Sequence, residues 1–290
     1  MTKYVSVNLF SIDFGDNTQK LSSTIEDYNL IELKNRWRGE IRLDKIKPKT
    51  LEDGKMLYFL DFSKEREIGP GKLKKNSPVE GIALEAGENF AEETAAMFIP
   101  NKKWLLILHN QNGIGANKMM DYFNQLDNGI TYSDYLATPF LNPKVDQQLK
   151  SMKGLTVVEF DATSDYLSSI GFDNSTSISS SLDDPSIKRV KVVLLANPLG
   201  TKRRVRKFLS DKIRALVEKL RNADDAEVSR LVVKGPDPEA DNKDLALNLL
   251  EHHIKERRNT NDLIVENNKY TVESKWKLLE RCFIDWNKKL

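Results

Sequence analysis

Nine of the twenty residues from Lys202 to Arg221 are lysine or arginine, and only Asp211 and Glu218 oppose them. The stretch carries a formal +7 in a 290-residue chain whose 45 cations and 43 acids leave it at +2. A near-neutral chain that concentrates its positive charge in one segment builds a local field. A polyanion, nucleic acid first, is the partner that such a field attracts. Lys202, Arg203, Arg204, Arg206 and Lys207 form the centre of this candidate nucleic-acid-binding site. Lys188, Arg189 and Lys191 extend it upstream; Arg203, Arg206, Lys207 and Arg214 are spaced three, four, seven or eight apart in pairs, which lets them share an outer face if the whole stretch is helical. In such a helix the first-turn cations would oppose the macrodipole, at some tenths of a kcal/mol each. A pattern that works against local stability favours a binding role, and free N–H groups at a helix start suit phosphate oxygens. The plainer alternative is a solvated helix face.

No base-reading signature accompanies the charge: there is no helix-turn-helix, zinc finger or paired RNA-stacking aromatic motif. Contact through phosphates alone is weakly sequence-specific and salt-sensitive, with a log–log slope of about 0.9 per phosphate neutralised.

Residues for catalysis are sparse. His252 and His253 are adjacent and do not share a helix face, and His109 ends an apolar run. No HExxH, CxxC or Cys/His cluster points to a metal, and no cofactor motif is complete. Gly113-Ile114-Gly115 sits where phosphate loops occur, but Lys118 is followed by Met119 and no third glycine is present, so a structural turn is expected. Cys282 lies among apolar residues of the last helical stretch, and no GxSxG motif is found. A metal-dependent nuclease needs converging carboxylates near a lysine. Glu32 and Lys34 with Asp27 are one set; Glu159 and Asp161, two apart on a strand, are another.

The elements that must position these residues divide the chain. Lys3–Phe14, 30–33, Glu40–Ile46, Lys55–Phe62 and Trp104–His109 read as strands. Val79–Ala86 and Glu93–Ile99 read as a hairpin about Gly87, and Ala116–Leu126 as a helix. Leu155–Phe160, Val190–Ala196 and Val228–Lys234 are further strands; Asp241–Glu251 and Val272–Asn287 read as helices, the last with Trp276, Leu279, Phe283 and Trp286 on a packing face. Residues 162–186 are rich in Ser, Asp and Asn and mark a hinge. This gives an α+β fold with a strand-rich lobe at 1–161 and a mixed lobe with the basic helix at 187–290. The absence of an eighteen-residue apolar run argues against a membrane span, and a single cysteine indicates a reducing, cytoplasmic setting.

Four stretches carry a likeness to a known family: AMFIPNKKWLLILHNQNGIGANKMMDYFNQL, LTVVEFDA, VKVVLLANP with the basic segment after it, and the end from VSRLVVKGPDPEADNKDL to KWKLLERCFIDW. In layout over most of its length the chain resembles the Rex phage-exclusion protein A family and related prophage and anti-phage defence proteins. The resemblance implies a hinged two-lobed homodimer that binds DNA non-specifically in a basic cleft; it transfers no catalytic residue. The expected function is therefore non-specific double-stranded DNA binding in phage exclusion. The alternatives are a protein-interaction module whose basic helix docks an acidic partner, such as a phage protein or a membrane effector, and the nuclease.

Overall fold

The computed structural model describes residues 4–14, 21–74, 77–110, 112–125, 135–172, 186–196, 209–223, 227–237 and 244–290. It has the α+β architecture expected, in two compact units: 1–138 with 255–290, and 139–254. The boundaries differ from the expected 1–161 and 187–290. One strand placed with the first lobe, Leu155–Phe160, belongs to the second unit, and the last helix returns to the first.

The first unit holds β1 (Tyr4–Asp13), α1 (Leu21–Leu30), β2 (Trp37–Arg38), β3 (Ile41–Thr50), β4 (Met56–Arg66), β5 (Lys72–Lys74), β6 (Ser77–Glu80), β7 (Phe90–Ile99), β8 (Trp104–Leu108) and α2 (Ala116–Asn124). The short strand β9 (Leu136–Pro139) ends this stretch. The 30–33 segment is the end of a helix and a 3-10 turn rather than a strand. The expected hairpin about Gly87 is also replaced: β7 pairs with β4 and β8, while β6 pairs with β5.

The second unit contains α3 (Pro143–Ser151), β10 (Val157–Thr163), α4 (Ser164–Ser169), β11 (Arg189–Leu195), α5 (Asp211–Arg221), β12 (Val228–Pro236) and β13 (Asp244–Asn248). The chain then re-enters the first unit through β14 (Lys255–Asn259), the small hairpin β15 (Val265–Glu266) and β16 (Lys269–Tyr270), and α6 (Val272–Asn287).

The main sheet of the first unit runs β14-β1-β8-β7-β4-β3-β2, with β9 also against β1. Helices cover both faces, which is why β4 reads as an almost unbroken apolar run. Tyr58, Leu60 and Phe62 pack toward α1 and α2 with Tyr28, Met119, Tyr122 and Phe123. The alternate residues face α6: Phe59 stacks on Trp276 at 5.4 Å between ring centroids, and the Trp276 indole N–H donates to the Leu60 carbonyl at 3.1 Å. Trp276, Leu279, Cys282, Phe283 and Trp286 are all buried, as their helical spacing predicts.

One ionic cluster sits under α6. The Lys275 ammonium lies 3.0 Å from Asp61 and 3.1 Å from Glu93, with both the lysine and Asp61 buried. Lys269 reaches the other Glu93 oxygen at 2.6 Å. Burial pushes the Asp61 carboxyl up to about 6 even though Lys275 pulls the other way. Burial also acts on Glu93, but Lys269 and Lys275 together hold it below the usual carboxylate range.

The second unit is built on the sheet β11-β10-β12-β13. Its inner face, Val158, Phe160, Ala162, Leu231, Val233 and Leu247, packs against Leu167 of α4 and Val217 and Leu220 of α5. The outer face carries the charged residues Glu159, Asp161, Arg189 and Lys191 beside exposed Val193 and Leu195, following the burial alternation of β10 and β11.

Candidate nucleic-acid interface

Lys202, Arg203, Arg204, Arg206 and Lys207 lie outside the described residues. Their flanks are placed. The Ala196 N–H donates to the Thr156 carbonyl and the Leu209 N–H to the Leu155 carbonyl, each at 2.8 Å. The two ends of the basic segment are thus held by successive residues at the start of β10. This start is itself clamped to the end of β12: the Thr156 N–H donates to the Lys234 carbonyl at 2.8 Å. Gly235 is required there, because a Cβ at that position would come within 2.4 Å of the Gly154 carbonyl oxygen.

The expectation of one continuous helix from 202 to 221 is corrected. Ser210 is extended, with φ −65° and ψ 163°, and α5 begins at Asp211. Its first turn carries the acid Asp211 and its last turn Lys219 and Arg221, so its charges complement the macrodipole rather than oppose it. The dipole penalty assigned to residues 202–207 as the first turns of this helix therefore does not arise. Arg214 is also not on a shared outer face. It is half-buried and donates from Nη2 to the Met152 carbonyl at 3.0 Å, tying α5 to the loop before β10.

Lys188, Arg189 and Lys191 are exposed on or beside β11, at the sheet edge, where strand alternation puts Arg189 and Lys191 on the outer face. Two of them are engaged. Arg189 pairs with Asp161 at 2.8 Å and Lys191 with Glu159 at 2.9 Å. Glu159 also receives Arg230 of β12 at 3.1 Å, and the Lys191 hydrogen bond, with Arg230 and Lys234 nearby, holds its carboxyl below the usual range. Cross-strand register explains the arrangement: Asp161 lies opposite Lys191 on β11 and Arg230 on β12, and the pairs form on the diagonal, Asp161 with Arg189 and Glu159 with Lys191 and Arg230. Glu159 and Asp161 do share a face, as the spacing predicts, but their oxygens are occupied by cations.

The other carboxylate set does not assemble around a metal either. Glu32 pairs with Lys34 at 2.8 Å on an exposed turn, and Asp27 is on α1. Among the described residues no three His, Cys, Asp or Glu side chains converge as metal ligands. His109 is exposed just past β8, with its backbone N–H on the Ser6 carbonyl at 2.8 Å. Gly113 packs against Thr94, whose hydroxyl accepts from the Ile114 N–H at 2.9 Å, so this glycine turn is built into the fold. Arg257 and Arg258, further cations in sequence, belong to β14 of the first unit, where Arg258 is paired with Glu256 and Asp285.

Sequence reading missed Lys153 and Lys234. Lys153 is exposed two residues before the Leu155 anchor, and Lys234 follows Arg230 and Val232 on the outer face. The signal was available: residues 230, 232 and 234 keep the two-residue period of a strand. With Lys212 exposed at the start of α5, these cations surround the anchored flanks of the basic segment.

The chain belongs to a family of unknown function (DUF6731), whose profile matches residues 2–289. No curated protein matches it. Among the described residues no helix is long and apolar enough to cross a membrane.

Proposed function

We propose that this protein binds the phosphate backbone of double-stranded DNA without sequence preference, through the basic segment between β11 and α5. The observation that carries the reading is the run of five cations from Lys202 to Lys207, with no acid among them, in a segment whose two flanks, Ala196 and Leu209, are fixed side by side at the start of β10. Lys153, Lys212 and Lys234 add to the field at that end, whereas Arg189 and Lys191 spend theirs largely on Asp161 and Glu159. The binding centre in this reading is Lys202, Arg203, Arg204, Arg206 and Lys207; Lys188, Lys153 and Lys234 are its margin. A cytoplasmic homodimer acting in phage exclusion is the biological setting that the resemblance to the Rex phage-exclusion family supplies.

The test is fluorescence anisotropy of labelled duplex DNA across a salt series, with magnesium present and DNA integrity followed on a gel. Binding that weakens steeply with salt and is lost in Arg203→Glu/Arg204→Glu/Lys207→Glu supports the reading. Absence of binding at low salt refutes it and turns the search to an acidic protein docked by the same segment. Magnesium-dependent cleavage would convert the protein to a nuclease.

A further inference from the structure

We infer a second phosphate-contacting track in the first unit: the row Lys45, Lys47 and Lys49 along the free edge of β3. It rests on the reading of the chain as a DNA-binding protein and adds a surface that the basic segment does not contain.

The row is created by a β-bulge. β3 pairs with β4 in register from Ile41 to Leu43 and again from Lys45 to Thr50, with Asp44 as the extra residue between. A bulge reverses which side chains face which side of the sheet. Before it, Ile41 and Leu43 point into the α1–α2 core; after it, Ile46 does so. Without the bulge, residues 45, 47 and 49 would continue the inward set and put three ammonium groups into that core. With it, they stand opposite Asp61, Phe59 and Leu57, on the α6 side. Asp44 is held in place by the Ser63 hydroxyl at 2.5 Å and by Arg42.

The row is accessible and incompletely neutralised. β2 covers only Ile41 and Arg42, so among the described residues the outer edge of β3 beyond them meets no strand. Lys45, Lys47 and Lys49 are all exposed. Lys49 pairs with Glu280 of α6, while Lys45 and Lys47 have no carboxylate within ion-pair distance among the described residues. Lys277, exposed one turn before Arg281 on α6, adds positive charge on the same side. Alternate residues of a strand repeat at about 6.8 Å. This matches the separation of successive phosphates along one nucleic-acid strand, so a straight backbone can meet consecutive lysines. Lysines and a proline on a free edge also discourage strand-to-strand association, and Pro48 fits that role. Edge protection, however, needs only charge of either sign, whereas phosphate contact needs positive charge.

That difference sets the experiment. Full-length Lys45→Glu/Lys47→Glu and Lys45→Gln/Lys47→Gln are compared with wild type, each alone and in the Arg203→Glu/Arg204→Glu/Lys207→Glu background, by duplex DNA anisotropy across salt. Thermal melting and size-exclusion chromatography check folding and association. Both pairs are expected to weaken binding and to reduce the log–log salt slope by about 1.8, the share of two phosphates, with the melting temperature kept. An unchanged slope in the glutamine pair overturns the inference, and does so equally if that variant self-associates, because the lysines then serve only the edge. Binding that survives in the Arg203→Glu background but is lost with Lys45 and Lys47 sinks the basic-segment reading and leaves the row standing. No DNA binding by wild type overturns both.

Discussion

Replacing Lys275 by methionine should destabilise the first unit strongly at neutral pH and much less in mild acid. The substitution keeps the aliphatic stem between α6 and the sheet but leaves Asp61 buried without its cation. Breaking a buried pair by removing one partner costs about 3–5 kcal/mol. In a unit of this size that lowers the melting temperature by roughly 10 °C. The pH dependence follows from the direction of the Asp61 shift. Its folded carboxyl, at about 6, binds a proton more tightly than the unfolded one. Its contribution is thus fully present below about pH 4 and is lost as pH rises through about 6. Removing Lys275 drives the folded value higher still, so the deficit of the variant grows toward pH 7.5 and shrinks at pH 5, where Asp61 takes up a proton. Glu93 keeps its ion pair with Lys269 in this variant. The assay is urea unfolding followed by tryptophan fluorescence at pH 5.0 and 7.5. Trp37, Trp104, Trp276 and Trp286, all four tryptophans of the chain, lie in this unit, so the signal reports on it alone. Asp61→Asn/Lys275→Met should recover most of the loss. A Lys275→Met variant within about 1 kcal/mol of wild type at pH 7.5, or one with equal deficits at both pH values, would refute the account.

Two further outcomes are expected. Glu159→Gln removes the carboxylate that engages Lys191 and Arg230; DNA affinity should rise and the salt slope steepen in the anisotropy assay, whereas a nuclease that uses Glu159 would lose cleavage. Cys282 is buried and its thiol is pushed up to about 11 by that burial; it should react with a thiol reagent at neutral pH only at the rate of unfolding, measured by mass spectrometry against a urea-denatured control.

The strands flanking the site and the helix Val272–Asn287 were legible in the sequence because their apolar periods are long and uninterrupted. Residues 244–249 were not. Leu245, Leu247 and Leu249 turn inward with Ala246 and Asn248 outward, a strand alternation in residues that individually favour helices. Pairing with β12 decides the outcome over propensity. The basic segment stood out by charge, but the engagement of Arg189 and Lys191 by Asp161 and Glu159 depends on cross-strand register, which pattern in one strand does not contain. Arg214 shows the same limit: spacing alone put it outward, and a free carbonyl at Met152 draws it in. Two lobes were legible but their bounds were hidden, because β14 and α6 return to a unit begun some two hundred and fifty residues earlier, and composition leaves no trace of that.

This return orders the steps by which the chain matures on the ribosome. The second unit is one uninterrupted stretch, 139–254, and is complete once that stretch has emerged. The first unit is not: its sheet waits for β14 to line up against β1, and Asp61 waits for the lysine of α6. Until residue 275 leaves the exit tunnel, one face of β4, β7 and β8 is uncovered and greasy, with an unmatched acid in its middle. Translation therefore finishes the inserted unit first and its host last, and a stall before α6 yields a nascent chain that quality-control machinery should recognise through that bare face.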